Sequence, residues 1–473
     1  MTENDKKISF RRVLEVIKEL LGWRFFPFIT AIWILACYYL GWDLVGIYFV
    51  CIIGIAMVLT LKDLTPVVPH ILFFNVLVSC QNSPLNFNGV VGSTFYTQTA
   101  VIAQIAVLVV LLIAAIIARL VITGKKAKFT PNATFWSICA LAFAFLLNGF
   151  GSENYTIKNL LYAAVFGAIL LVIFVLIKSN SSLTEENFKS IAWGFVAFSA
   201  LLVFELVMKY ITDFDKIFVD GHIEKTGFLM GWGVWNNLGA YISICIPPVC
   251  ILAAKYKHGY AFLLYAAALV VCAFLSGSRQ AMLGSSFAFA VSGIALIIKS
   301  RARLINSIII GVILAAVIIV LIVKWDAILS ILDRLLSNIF DDNGNYLGNG
   351  RIRLIKLALD YFKANPLCGS GFYSEFESFE LTGMTGNLIP TFAHNTIMEI
   401  LGTCGVFGIG AYVCHRVVTV IDFLKQPTQN KYFIAMSLAT LLFICLFDNY
   451  IFYILPTMAY AALLPFATGK PQE

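Results

Sequence analysis

Apolar residues along this chain fall in long unbroken runs rather than in the every-second-residue alternation of a strand with one wet face. A helix that crosses a bilayer needs roughly 20 mostly apolar residues. Runs of that order lie near 25–42, 44–61, 66–80, 99–123, 134–150, 158–178, 189–211, 236–256, 259–276, 280–299, 304–323, 394–420, 431–447 and 449–467. Backbone in lipid must bond to itself, so the pattern predicts an all-α, polytopic membrane helix bundle of about 14 (12–14) transmembrane helices. The third run is short and holds Pro66, Pro69 and His70, so a broken or tilted helix is expected there.

Ahead of the first run, Lys6, Lys7, Arg11, Arg12, Lys18 and Arg24 interleave with Val13, Leu14, Ile17, Leu20 and Leu21 at helical spacing. Residues 1–24 read as an amphipathic helix lying on the cytoplasmic membrane surface, without a cleavable signal. Residues 324–393 form one large hydrophilic excursion, expected to be extracytoplasmic and partly helical. Otherwise 1–473 reads as a single integral-membrane domain.

Composition agrees with the runs. Of 473 residues, 60% are hydrophobic and 12% charged, and the mean hydropathy is +0.88. These values exclude a soluble enzyme, a disordered scaffold and a fibrous protein. The net charge of +7 becomes informative once sorted by side. With a cytoplasmic N-terminus, most of the 33 Lys and Arg fall inside, among them Lys62, Lys178, Lys189, Lys255, Lys257, Lys299, Arg301, Arg303, Arg416, Lys425, Lys431 and Lys470. Outside the two long charged loops, 209–235 and 324–393, the other side holds only Lys158 and Arg279. That is a positive-inside pattern with both termini cytoplasmic. It also places outside the uncharged loop 81–98, rich in Asn, Ser, Thr and Gly. Most of the 11 cysteines lie inside apolar runs and none form a CxxC pair, so they read as small hydrophobes.

Three places offer chemistry. Arg351 and Arg353 stand in the first turn of the helical pattern RIRLIKLALDYFKANP, where the dipole favours anions over cations. Either an anion arrives from elsewhere or the arginines pair with Asp341 and Asp342. Arg279, in Leu-Ser-Gly-Ser-Arg-Gln between two apolar runs, either snorkels to headgroups or points a planar donor fork at a phosphate. His394 opens the run after the large loop and is either a cap or a general base, with Glu399 about a turn deeper. Glu205 is a second carboxylate within a run. Asp213 and Asp215 have the spacing of a metal carboxylate pair, which also arises easily in a charged loop; the five histidines lack ligand spacing. No GxSxG, P-loop or dinucleotide fingerprint is present. The basic residues cluster at the membrane surface, which points to anionic lipid rather than nucleic acid.

Taken in order, Ser-Gly-Ser-Arg279, Gly350-Arg351 with Asn365-Pro366-Leu-Cys-Gly369-Ser-Gly371-Phe372, and Ala393-His394-Asn395 with Gly405 and Gly408 resemble the bacterial O-antigen polymerase and O-antigen ligase superfamily. The Asn236-Asn237-Leu-Gly-Ala opening is similar too, and the motifs together cover residues 236–408. The resemblance implies an integral-membrane glycosyltransferase at the outer face of the bacterial cytoplasmic membrane, acting on saccharides carried by undecaprenyl pyrophosphate. Arg279 and Arg351 would hold the pyrophosphate, with Arg353 a second clamp. His394 would take the acceptor hydroxyl proton in an inverting, metal-independent displacement that uses no cofactor. Asn395, Glu399 and Asn237 would contact sugar or orient the histidine. Implied partners are the lipid-linked donor and acceptor, membrane lipids, and a flippase and chain-length regulators. About fourteen runs exceed the roughly twelve usual for the ligases and lean toward a repeat-unit polymerase. A ligase, a lipid-linked oligosaccharide flippase or other transporter, and a non-catalytic scaffold are the alternatives. Ile355, Gln280 and Thr403 depart from the family pattern, which bears on acceptor preference.

Overall fold

The computed structural model describes residues 3–40, 42–78, 99–124, 129–153, 155–219, 222–223, 235–323, 351–372 and 393–470. The uncharged loop 81–98 and most of the large loop, including Asp341 and Asp342, lie outside the described residues.

A helix occupies each of the apolar runs. They are α2 (Phe26–Leu40), α3 (Asp43–Thr60), α4 (Val67–Val78), α5 (Thr99–Gly124), α6 (Ala133–Leu146), α7 (Ile157–Asn180), α8 (Glu185–Ile217), α9 (Trp235–Lys255), α10 (Tyr260–Leu275), α11 (Arg279–Lys299), α12 (Arg303–Val323), α14 (Thr396–Lys425), α15 (Gln429–Ile444) and α16 (Ile454–Thr468). Among the described residues two further helices lie outside them, α1 (Glu3–Gly22) and α13 (Arg351–Ala364). A two-residue antiparallel ladder pairs Phe218–Val219 with His222–Ile223. Five described helices (α7, α8, α9, α11 and α14) are long and apolar enough to cross a membrane by themselves. α1 and α2 pass that test together but bend by 84° at the break between them. α1 keeps Val13, Val16, Ile17 and Leu20 exposed while Leu21 is buried.

Local sequence explains the helix starts. Asn132, Thr184, Ser278, Asn395 and Thr428 each accept a backbone N–H of the first turn, satisfying donors that the helix leaves orphaned. α4 is continuous rather than broken, because Pro69 sits in its first turn, where no intrahelical N–H is missed. His70 is buried there, with Nε2 at 2.9 Å from the Val50 carbonyl.

α9 is the centre of the bundle. In its apolar window 94% of residues are buried, and α8, α10, α11 and α15 pack around it. α14 packs against α6 and α13, and α16 against α4, α7 and α15. Outward faces remain apolar, as at Val110, Val121, Leu304 and Val312, which suits lipid as the surrounding solvent.

The turns gather at two ends. At one, Asp63 accepts from Ser182 and Asn187, Lys255 pairs with Glu185, and Asp422 accepts from Thr134. Lys62, Lys178, Lys189, Lys257, Lys299, Arg301, Arg303, Lys425, Lys431 and Lys470 stand at or beside these turns. Arg416 does not join them as its place in the sequence suggested. α14 runs on to Lys425, so Arg416 lies inside the helix, stacked on Tyr412 and Tyr460 with its guanidinium carbon Cζ 4.4 and 4.7 Å from the two ring centres and hydrogen-bonded to the Tyr460 hydroxyl. The opposite end joins the turns after α6, α10 and α15 to the start of α14.

Candidate functional site

At that second end the turn Ser276-Gly277-Ser278 reverses the chain from α10 into α11, with Gly277 at φ +69°. Ser278 caps α11 and donates its hydroxyl to Asn236 at 2.8 Å. Gly239 admits this approach: a Cβ there would stand 2.2 Å from the Ala281 Cβ and 2.8 Å from the Ser276 hydroxyl. Two motifs picked out by sequence are therefore docked on each other, through Asn236; Asn237 beside it is half-buried. Arg279 is the first residue of α11 and is exposed.

Gln280 turns inward. Its Nε2 donates to the Tyr450 hydroxyl at 2.7 Å and lies 3.5 Å from Asp448 Oδ2. The other oxygen, Asp448 Oδ1, accepts the Asn449 N–H at 2.8 Å and faces His394 Nδ1 at 3.3 Å. The imidazole is 41% exposed and the carboxylate 9%. A carboxylate against Nδ1 favours the tautomer that carries its proton there, in which Nε2 is the acceptor nitrogen.

The backbone around His394 is held from several directions. His394 itself has φ +45°, a left-handed conformation uncommon for a residue with a side chain. Asn395 caps α14 through Ile397 N–H and Met398 N–H and donates to the Leu446 carbonyl at 2.8 Å. Thr396 N–H bonds the Cys445 carbonyl and its hydroxyl the Asp448 carbonyl. Glu399 is fully buried and its Oε2 accepts from Ala393 N–H at 2.8 Å and Asn449 Nδ2 at 3.0 Å. Glu399 thus supports the loop from behind, while Asn395, half-buried, braces the start of α14.

α14 is broken at Gly405, whose φ of +60° and ψ of −154° suit glycine alone. The segment after α13 fills the break. Val406 N–H and Phe407 N–H reach the carbonyls of Pro366 and Leu367, and Ser370 N–H and Gly371 N–H reach those of Gly402 and Thr403. Every one of these groups would otherwise be an orphan at membrane depth. The close approach requires glycine: a Cβ on Gly369 would stand 2.4 Å from the Thr403 carbonyl carbon.

This docking also places α13. Ala358 touches Gly402, where a Cβ would approach to 3.1 Å, and Pro366 meets Val406, so α13 runs parallel to α14. Ala358 also clusters with Ala393, Leu357, Tyr361 and Met398. At 1.5 Å per residue, Arg351 is about 10 Å up α13 from Ala358, and Thr396, two residues after His394, is about 9 Å up α14 from Gly402. The start of α13 therefore stands level with His394; the side chains of Arg351 and Arg353 lie outside the described residues.

The other carboxylates do not join this group. Asp213 pairs with Lys209 and, at 3.0 Å, with Lys216, while Asp215 is exposed. Glu205 is buried against the Tyr39 hydroxyl. Among the described residues no three His, Cys, Asp or Glu gather as a metal would require. Sequence reasoning missed Asp448, Gln280 and Tyr450. The available signal was Asp448-Asn449, a carboxylate and an amide in a short break between two apolar runs.

Compared with known families, residues 264–413 match the family described as O-antigen ligase. The matched stretch begins in α10 and ends in α14; it contains Arg279, Arg351 and His394 and stops before Asp448. A comparison with curated proteins finds no match.

Proposed function

Because residues 264–413 match the family described as O-antigen ligase, we propose that this membrane protein belongs to the O-antigen polymerase and ligase superfamily and polymerises saccharide repeat units carried on undecaprenyl pyrophosphate. The observation that carries the proposal is the His394–Asp448 pair at one end of an apolar bundle, beside the helix that Arg279 opens. His394 Nε2 removes the proton of an acceptor hydroxyl, and Asp448 holds the ring and stabilises the imidazolium that forms. The hydroxyl oxygen bonds to the anomeric carbon from the face opposite the leaving group, inverting it. The bond from that carbon to the diphosphate oxygen breaks, and the electron pair leaves with the lipid diphosphate. Arg279 and Arg351 meet that developing negative charge, with Arg353 two residues further along α13 as a second clamp, so fixed cations supply what a metal would otherwise supply. Asn395 and Glu399 support His394, and Asn237, in the first turn of α9, is the amide assigned to contact sugar.

The basic residues at the other end favour a cytoplasmic face there, which sets both termini inside and the site outside, on the cytoplasmic membrane. A helix on each of the fourteen runs is consistent with about 14 crossings and with the polymerase reading. The family description favours the second reading, a ligase that transfers the finished glycan to a lipid or protein. A site at one end of the bundle, rather than at its midplane, weighs against a transporter.

The test uses purified protein in lipid nanodiscs with a diphosphate-lipid-linked repeat unit. A ladder that lengthens with time is expected, and Arg279→Ala, Arg351→Ala and His394→Ala should each abolish it. One transfer to an unlike acceptor selects the ligase. An undiminished ladder from His394→Ala would overturn the assigned base.

A further inference from the structure

Gln280 touches neither reactant in this scheme, yet it occupies a costly position. It is 5% exposed, and its Nε2 serves both the Tyr450 hydroxyl and Asp448 Oδ2. Its Oε1 is buried with no hydrogen-bond partner among the described residues. A leucine or methionine would fill the same space with no unpaired acceptor, so packing alone favours an apolar side chain. What those residues lack is the NH2 group, and it is this group that meets the carboxylate.

We infer that Gln280 is a positioning residue: it holds Asp448 Oδ2 and the Tyr450 hydroxyl so that Oδ1 stays turned toward His394, and its neighbour in the chain is Arg279. The group that binds charge and the group that moves the proton are then set by one turn of α11. Without Gln280, Oδ2 has lost its donor and the carboxylate is free to rotate about its stem, while Oδ1 keeps the Asn449 N–H. The groups that face the pair are Gln280 from α11, Cys445 and Tyr450 from the segment after α15, and Glu399 from α14 through Asn449. This inference rests on the transferase reading for its effect on rate, but not for its effect on His394.

Two measurements separate these. The first is independent of substrate: the pH dependence of His394 modification by diethyl pyrocarbonate, read by peptide mass spectrometry in the whole protein. In Gln280→Leu the midpoint should move to higher pH, because a carboxylate short of a donor holds a proton on its imidazole partner more firmly. Gln280→Glu, with a second carboxylate, should move it further. An unmoved midpoint in both variants overturns the inference. The second is turnover. Gln280→Leu should lower kcat by about 10–100-fold, as loss of a supporting hydrogen bond commonly does, with KM for the lipid-linked donor little changed and thermal stability kept. The acid limb of the rate profile should move with the modification midpoint. In an Asp448→Asn background, the same substitution should change kcat by less than about twofold, since both act through one carboxylate. A full additional loss there, or a loss of stability with kcat intact, would also overturn it. A moved midpoint without any transferase activity in the parent protein fails the transferase reading and leaves the positioning role standing.

Discussion

In the proposed mechanism Asp448 is what separates a histidine that caps from one that acts as a base. Alone at the start of α14, His394 has both uses; a buried carboxylate oxygen lies 3.3 Å from its Nδ1 and favours the second. Asp448→Asn should lower kcat by about 10²–10⁴-fold, because the amide favours the wrong tautomer. Thermal unfolding should stay close to the parent, and activity within tenfold of the parent would remove Asp448 from the mechanism. Glu399, a carboxylate deep in an apolar run that the family resemblance assigns to orienting the histidine or contacting sugar, is held by protein partners: its Oε2 is used by Ala393 and Asn449 in the turns beside His394. Arg416 repeats it at the other end, held by two tyrosine rings rather than by solvent.

Among the elements, α13 and α14 decide the geometry. The amphipathic period of α13 is plain in sequence, and so is its end at Pro366. That its exit segment would plug a break in another helix was not, since a break at Gly405 is satisfied by backbone groups that carry no side-chain signature. Gly405→Ala forces a side chain into a conformation that costs about 1–3 kcal/mol, and its Cβ would stand 2.5 Å from the Leu367 carbonyl. The variant should unfold at a lower temperature in detergent and lose transfer activity along with it, because α13 would no longer stand level with His394. Unchanged stability would show that the break is not needed.

For the whole molecule, the sorting of charge is the strongest long-range signal. The turns rich in Lys and Arg are hydrogen-bonded to one another at one end, and the His394 turns to one another at the other. A membrane-impermeant maleimide on intact cells should label Glu153→Cys, at the His394 end, and spare Lys257→Cys, in a background without the exposed Cys414. The reverse pattern would invert the orientation and put the site on the cytoplasmic face.

Sequence by itself determined where helices form, because apolar runs, caps and prolines act within a few residues of themselves. It also marked Arg279, Arg351 and His394 as side chains with chemistry to offer, but not Asp448 or Tyr450, and it set Arg416 at a turn that α14 in fact runs through. Tertiary structure decided which of them meet. His394 and Asp448 are 54 residues apart, and nothing local tells a carboxylate that turns toward an imidazole from one that braces a loop. That choice is made by helix packing, through contacts as close as Gly239 on α11 and Pro366 in the break of α14, where a single methyl group would hold the partners apart.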